Sequence, residues 1–220
     1  MPSRPAANFD PLARCYAPLE RLSFGSALSR RRTRFLGDPR LAGTTHALVL
    51  GDGDGRFTAA LLERYPSLRV TALDSSAAML AALERRVALR TPRARLELHR
   101  ADIRTWLPPR AGYDLVATHF FFDCFTSDEV EAMVERIGPA LAPNALWLVS
   151  DFAIPPRGVA SLLARLLVSA LYLAFRILTG LTVSALPRYT SALNAAGFSC
   201  QDEEAALGGA LRAELWARAR

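Results

Sequence analysis

Residues 46–62, HALVLGDGDGRFTAALL, decide the fold of this chain. The apolar residues 47–50 are typical of a buried strand, and an amphipathic helical pattern begins a few residues later. Three glycines, Gly51, Gly53 and Gly55, lie between the two patterns. Glycine allows positive φ angles and lets a ligand approach the backbone closely. The turn therefore predicts a ligand-binding site where the strand gives way to the helix.

The same alternation of short apolar strands and amphipathic helices continues along the chain. This order is typical of a parallel sheet covered on both faces, and right-handed crossovers make such a sheet doubly wound. We therefore predict an α/β fold with a Rossmann-like, mostly parallel sheet of seven strands. The predicted strands are 47–50, 69–73, 95–99, 113–118, 146–151 and two near the C-terminus, and the predicted core helices are 58–65, 77–89 and 127–141.

A single domain is predicted for residues 1–220. Its parts are N-terminal helices at 8–36, a core of alternating strands and helices at 44–152, an apolar helical insertion at 157–187, and a C-terminal helix and strands at 188–220.

The composition is that of a soluble globular protein, with 51% hydrophobic and 22% charged residues. All 27 basic residues are arginines, and the formal net charge is +6. The arginines are scattered and accompany no nucleic-acid-reading motif, so nucleic-acid binding is not expected. Cys15, Cys124 and Cys200 have no metal-ligand spacing, which indicates reduced thiols in a cytoplasmic protein without a metal site. The first ten residues lack the apolar region of a signal peptide.

The spacing of the glycine turn argues against a dinucleotide. The dinucleotide fingerprint is GxGxxG, whereas this turn reads GxGxG and continues with Arg56. Asp52 and Asp54 would add negative charge where a pyrophosphate should lie. A ligand that is neutral or cationic at this point fits better. S-adenosylmethionine, which carries a sulfonium and an amino group but no phosphate, meets this requirement.

Two further carboxylates follow predicted strands. Asp74 closes the second strand, where an acid can accept hydrogen bonds from both hydroxyls of a ribose. The alternative is that Asp74 only caps the helix that begins after Ser75. Asp102 follows the third strand, where its carboxylate and the amide of Ile103 could bind an adenine edge. The alternative for Asp102 is a simple turn residue.

With these residues in place, the chain resembles the class I S-adenosylmethionine-dependent methyltransferases. The resemblance depends on LVLGDGDG, VTALDSS, RADI, YDLVATHFFFDCF and LWLVSDF, and it covers roughly residues 9–217. The family usually carries an acid two residues before the first glycine, where this chain has Val49. The resemblance implies S-adenosylmethionine as cofactor, bound by Gly51, Asp52, Gly53, Gly55, Asp74, Ser75, Asp102, Ile103 and His119.

The segment HFFFDCF, residues 119–125, follows the fourth predicted strand and in this fold faces the methyl group. Its phenylalanines suggest an apolar acceptor pocket with polar anchors. His119 is a candidate general base because its ordinary pKa is near neutrality, and Asp123 could orient it or serve as the base itself. Both also fit structural roles. The N-terminal helices at 8–36 resemble the lid that many of these enzymes fold over the cofactor, and residues 44–152 would form the cofactor-binding core. The other candidate acceptor contacts are Tyr16 in the lid, Phe120, Phe121, Asp151 and Tyr172.

The apolar stretch 159–186 approaches the length of a membrane span, but Arg165 and Arg176 interrupt it. Three roles remain open: a cap over the active site, a homodimer contact, or a surface that rests on lipid. In layout the stretch is similar to the insertion of ubiquinone- and menaquinone-type methyltransferases, whose acceptors are lipophilic rings.

We therefore predict a methyltransferase that acts on an oxygen or carbon atom of a small apolar or aromatic molecule. The alternatives are a methyltransferase-like module that binds the cofactor without catalysis, and an NAD(P)-dependent oxidoreductase. The oxidoreductase is disfavoured by the GxGxG spacing and by the absence of lysine, which leaves no Tyr/Lys pair.

Overall fold

A computed structural model describes Asp10 and residues 25–91 and 95–219. Its centre is a seven-stranded sheet in the order β3-β2-β1-β4-β5-β7-β6. Strand β7 runs antiparallel to its neighbours β5 and β6, and the other described pairings are parallel. The predicted mostly parallel α/β sheet is therefore confirmed. The strands are β1 His46–Leu50, β2 Arg69–Asp74, β3 Leu96–Arg100, β4 Tyr113–His119, β5 Leu141–Phe152, β6 Phe198–Ala206 and β7 Leu211–Arg218.

Helices cover both faces of the sheet. The helices are α1 Ala27–Arg32, α2 Arg56–Arg64, α3 Ala77–Ala88, α4 Ser127–Ile137, α5 Val159–Thr179 and α6 Tyr189–Ala195. Helices α2 and α3 pack with one hydrophobic cluster, and α4 and α6 pack with the other.

Strand β1 shows why its sequence is apolar without interruption. Leu48 and Leu50 belong to the cluster around Trp147, while Val49 belongs to the opposite cluster around Phe57. Successive side chains of a strand point to opposite faces, and here both faces are covered, so every position must be apolar.

Two segments were predicted outside the sheet, the apolar insertion and the N-terminal lid, and the structure describes the first more fully than the second. The apolar insertion forms α5, as predicted, and packs with a third cluster that includes Leu28 of α1, Phe120 and Phe152. Most of the predicted N-terminal lid, including Cys15 and Tyr16, lies outside the described residues. Asp10 accepts hydrogen bonds from the Ser76 hydroxyl and from the Ala78 backbone N–H, so this acid lies at the start of α3.

Candidate functional site

The three glycines of the turn after β1 all have positive φ, but a side chain at each would meet different surroundings. A Cβ atom on Gly51 would lie 2.2 Å from the ring of Phe121. A Cβ atom on Gly55 would lie 2.7 Å from the backbone of Leu83 in α3. A Cβ atom on Gly53 would have only Met79 Sδ nearby, at 3.7 Å. Gly53 is therefore the position where the backbone leaves room for a ligand, while Gly55 is required by helix packing.

The two aspartates of the turn serve the fold. Asp52 accepts hydrogen bonds from the backbone N–H groups of Thr58, at 2.8 Å, and Phe57, at 3.3 Å, and so caps the first turn of α2. Asp54 forms ion pairs with Arg86, at 2.7 Å, and Arg56, at 3.2 Å. Both carboxylates thus have intramolecular partners, and the predicted contact of Asp52 with the cofactor stays a prediction.

Asp74 lies beside the open glycine, at the end of β2. Its carboxylate accepts a hydrogen bond from the Ser76 N–H at 2.8 Å, and the N–H groups of Gly53 and Ser75 also donate to it. Burial nevertheless raises the pKa of Asp74 to about 6. A carboxylate has about four acceptor positions, so capacity remains for a ribose hydroxyl. The space at Gly53 and the acid next to it fit a nucleoside cofactor such as S-adenosylmethionine.

The two residues predicted to bind adenine, Asp102 and Ile103, are engaged in contacts within the protein. The Asp102 carboxylate accepts from the Arg104 N–H at 2.9 Å and forms an ion pair with the Arg104 guanidinium at 2.6 Å. The Arg104 hydrogen bond holds the pKa of Asp102 below its ordinary value. Ile103 is buried in the core cluster around Trp147. Asp102 and Ile103 therefore stay predictions for adenine binding.

The pKa of Asp74 makes cofactor affinity depend on pH. Donors on a ribose favour the charged carboxylate, whereas burial favours the protonated form. We expect the affinity for S-adenosylhomocysteine to fall as the pH drops below about 6, approaching tenfold per pH unit, because one proton must be released on binding. Calorimetry between about pH 5 and about pH 7.5 in buffers of different ionisation enthalpy measures both effects.

Asp74→Asn is the matched variant for this experiment. It should bind about tenfold or more weakly at neutral pH, because a charge-assisted hydrogen bond is lost, and its affinity should not vary with pH. If Asp74→Asn keeps the pH dependence of the wild type, another group is responsible and the ribose contact is wrong.

His119 is buried on the α2 side of the sheet. Its Nδ1 lies 3.0 Å from Ser150 Oγ, its ring contacts Phe57 at 4.3 Å between centroids, and its Nε2 has no hydrogen-bond partner among the described residues. Burial, with a smaller contribution from the charge of Arg32, lowers the pKa of His119 to about 3. A group with so low a pKa is a weak proton acceptor at neutral pH. The geometry thus favours a packing role for His119 over the predicted role of base.

The phenylalanines after β4 lie between the glycine turn and the buried acids Asp123 and Asp151. Phe120 has a φ of 53°, a left-handed conformation that is costly for a bulky residue and is found where the surrounding structure holds it. The Arg32 guanidinium lies 5.0 Å from its ring centroid. Phe121 packs against Gly51 and, at 5.0 Å between centroids, against Phe125. Phe121 therefore brings the segment 119–125 against the glycine turn, and its predicted position facing the methyl group stays a prediction.

Asp123, four residues after the end of β4, and Asp151, the last residue but one of β5, are neighbouring buried acids, which we call the acid pair. Asp151 accepts hydrogen bonds from the backbone N–H groups of Asp123, at 3.3 Å, and Phe152, at 2.8 Å. Burial raises the pKa of Asp123 to about 6. Burial and the charge of Asp123 raise the pKa of Asp151 well above its ordinary value. The pair therefore holds a proton at neutral pH and can exchange it with a bound molecule.

Helix α5 packs next to Asp123. The Tyr172 hydroxyl donates a hydrogen bond to the backbone carbonyl of Asp123 at 3.0 Å. Glu214 of β7, a residue that the sequence interpretation missed, is also buried and accepts from Trp216 Nε1 at 2.8 Å. Glu214 adds to the charge that raises the pKa of Asp151. The sequence could have pointed to Glu214, because this acid lies between the apolar residues Ala213 and Leu215 of a strand.

No group of histidine, cysteine and acidic side chains within the described ranges has the arrangement of a metal site.

The sequence analysis assigned no role to Ser150 and Ser76, and the structure gives both a structural one. Ser150 connects His119 to α1, since its hydroxyl donates to the backbone carbonyl of Arg31 at 3.0 Å. The Ser76 side chain caps α3 by accepting from the Met79 N–H at 3.1 Å.

The chain is similar to known proteins at the level of both sequence and fold. Residues 47–144 match the family model described as a methyltransferase domain. The chain is 33% identical over 136 residues to a trans-aconitate 2-methyltransferase of Variovorax paradoxus (strain S110), covering 58% of this chain and 49% of that protein. The chain thus spans about half the length of that curated relative.

Solved structures show the same fold. The mitomycin 7-O-methyltransferase MmcR has a TM-score of 0.70 at 21% identity, covering 96% of this chain and 61% of that chain. The N-methyltransferase NodS from Bradyrhizobium japonicum WM9, solved with S-adenosyl-L-homocysteine, has a TM-score of 0.61 at 13% identity, covering 88% of this chain and 89% of that chain.

Proposed function

We propose that this chain, whose residues 47–144 match a methyltransferase-domain model, is a class I S-adenosylmethionine-dependent methyltransferase. Its acceptor would be an oxygen or carbon nucleophile of a small, apolar or aromatic molecule that is uncharged when it binds. S-adenosylmethionine is the cofactor. The acceptor and the residues that act on it are what we assign below.

One observation carries the proposal: the Asp123–Asp151 pair lies next to a segment of phenylalanines that itself packs against the glycine turn. An acceptor placed there would have apolar rings around it and a carboxyl pair as its polar contact. Such surroundings suit a hydroxylated or otherwise weakly acidic ring, since burying a second anion beside the pair is costly.

We assign the following roles in methyl transfer. The bound cofactor supplies an activated methyl group on its sulfonium. Phe120 and Phe121 exclude water and orient a flat acceptor. Asp123, whose raised pKa of about 6 is close to neutrality, takes the proton of the acceptor nucleophile. Asp151, whose pKa is raised well above its ordinary value, stays protonated beside it. The Tyr172 hydroxyl holds the backbone at Asp123 in position.

The names of the relatives help to define a test. The curated relative of Variovorax paradoxus is named for trans-aconitate, which is a tricarboxylate. A buried pair of acids is a poor site for such a substrate because like charges repel. We therefore expect this chain to discriminate against polycarboxylates.

The substrate test uses S-adenosylmethionine with an isotopically labelled methyl group and two sets of acceptors. Catechols, naphthols and hydroxyquinones form the first set, and trans-aconitate and related acids form the second. We expect labelled product from the first set, detected by mass spectrometry, and none above background from the second. Methylation of trans-aconitate, with no product from the hydroxylated rings, would contradict the proposal.

A cofactor-binding module without catalysis is the alternative. Val49, buried in β1 where the family resemblance leads one to expect an acid, is the observation that favours it. Binding of S-adenosylhomocysteine without transfer to any acceptor in the panel, or to a cell extract, would support this alternative.

A further inference from the structure

Helix α5 has two opposite faces. At about 3.6 residues per turn, Ser161, Ala164, Val168, Tyr172 and Thr179 fall on one side of the helix, and all five are buried. The other side carries a stripe of large apolar residues, which we call the outer stripe. The outer stripe consists of Val159, Leu162, Leu163, Leu166, Leu173 and Ile177.

The outer stripe is exposed along its full length. Its six side chains are between 59% and 74% exposed. They span about 27 Å along the helix axis at about 1.5 Å rise per residue. Soluble monomers rarely expose a continuous apolar surface of this kind unless it binds something.

The charged residues of the segment that contains the outer stripe all have one sign. Residues 152–201 contain no aspartate or glutamate, and they contain the four arginines Arg157, Arg165, Arg176 and Arg188. Arg165 and Arg176 are exposed and, by their spacing, lie on the same flank of the helix. An apolar stripe with a cationic flank, on a helix that carries no acid, is complementary to an anionic lipid surface.

We propose that the outer stripe of α5 lies on a membrane surface that contains anionic lipid, with its apolar side chains at the boundary of headgroups and acyl chains and Arg165 and Arg176 on lipid phosphates. A second copy of the chain fits less well, because pairing two such stripes brings arginines together without any acid from residues 152–201 to neutralise them.

The helix rests on the surface and does not cross it. Among the described residues, α5 is the one helix long and apolar enough to span a bilayer, with a mean hydropathy of 1.8. Its inner face, however, packs on the domain, and its Tyr172 hydroxyl bonds to the Asp123 backbone. Spanning the bilayer would require breaking these contacts.

Vesicle sedimentation of the full chain tests the proposal. We expect binding to vesicles of phosphatidylcholine with phosphatidylglycerol, and much weaker binding to phosphatidylcholine alone. Leu166→Asp/Leu173→Asp should reduce binding at least about tenfold, because each leucine loses its burial in lipid. Leu89→Asp/Leu107→Asp is the matched control, since these leucines are 86% and 66% exposed but follow α3 and β3.

A second pair of variants tests the charges. Arg165→Glu/Arg176→Glu should reduce binding to the anionic vesicles by about fivefold or more for each arginine, and Arg165→Lys/Arg176→Lys should retain binding. Thermal melting and binding of S-adenosylhomocysteine should be unchanged in all of these variants, because the altered side chains lie outside the packed face of α5.

Three results would overturn the proposal. One is no binding of the wild-type chain to anionic vesicles. Another is equal loss of binding in the control pair and the α5 pair. The third is a wild-type dimer in sedimentation velocity that Leu166→Asp/Leu173→Asp converts to a monomer while vesicle binding stays unchanged, which would assign the outer stripe to a second copy of the chain.

Discussion

Replacing Asp123 with asparagine should lower kcat by about 10²–10⁴-fold, the usual contribution of a general base. Asparagine keeps the size of the side chain but cannot accept the proton. The affinity for S-adenosylhomocysteine should stay close to that of the wild type, because we assign Asp123 to the acceptor and not to the cofactor. Single-turnover transfer of labelled methyl to the best acceptor found in the panel measures the effect.

The stability of Asp123→Asn separates a chemical effect from a structural one. The raised pKa of Asp123 means that its charged form is disfavoured in the folded protein, so this carboxyl stabilises the fold at low pH and that contribution is lost as the pH rises through about 6. Removing the carboxyl should therefore leave thermal stability at about pH 8 equal or higher. We expect kcat/KM for the acceptor, measured at saturating S-adenosylmethionine so that Asp74 does not contribute, to rise with pH near 6 in the wild type and not in the variant.

His119→Asn is the matched control for the role of base. His119 is neutral at ordinary pH, because its pKa is lowered to about 3, and its contacts are with Ser150 and Phe57. We expect its replacement to cost stability while kcat falls by less than about tenfold. If His119→Asn lowers kcat as strongly as we expect for Asp123→Asn, and Asp123→Asn is nearly as active as the wild type, the assignment of the base is reversed.

Replacing Gly55 with alanine should destabilise the domain by about 2–5 kcal/mol. The φ of Gly55 is 78°, a conformation that costs an L-residue about 1–2 kcal/mol. The added Cβ would also lie 2.7 Å from the backbone of Leu83, and overpacking of this kind costs about 1–3 kcal/mol. Urea denaturation followed by circular dichroism measures the loss of unfolding free energy.

Two other glycines provide the comparison. Gly112 has a φ of 88°, and a Cβ atom there would have nothing within 4 Å, so Gly112→Ala should cost only the conformational strain. Gly53→Ala should also keep most of the stability, but it should weaken binding of S-adenosylhomocysteine, because its Cβ atom would project into open space at the turn. Equal destabilisation by Gly53→Ala and Gly55→Ala would show that helix packing at Leu83 does not distinguish the two positions.

The fold could be predicted because its signals are local. The apolar residues of β1 are buried on both faces of the sheet, and a strand buried on both faces has to be apolar throughout. The glycine turn, the acid at the end of β2 and the long helix α5 are likewise visible in short stretches of sequence. The order of strands and helices then left few topologies to consider.

The roles of the polar residues could not be predicted in the same way. Asp52 and Asp74 are both acids near the glycine turn, yet Asp52 caps α2 while Asp74 lies beside the open space at Gly53. His119 and Asp123 are four residues apart, yet one is buried against Phe57 and the other pairs with Asp151 from another strand. The hydrogen-bond donor that each acid binds is set by contacts between residues that are distant in sequence.

The amino-acid sequence was therefore sufficient for the sheet and the glycine turn, because hydrophobic periodicity and glycine conformation act within a few residues. Only the tertiary structure decided the buried acid pair and the exposed outer stripe of α5. Burial, which shifts a pKa or leaves an apolar face in water, depends on what the rest of the chain packs against each group.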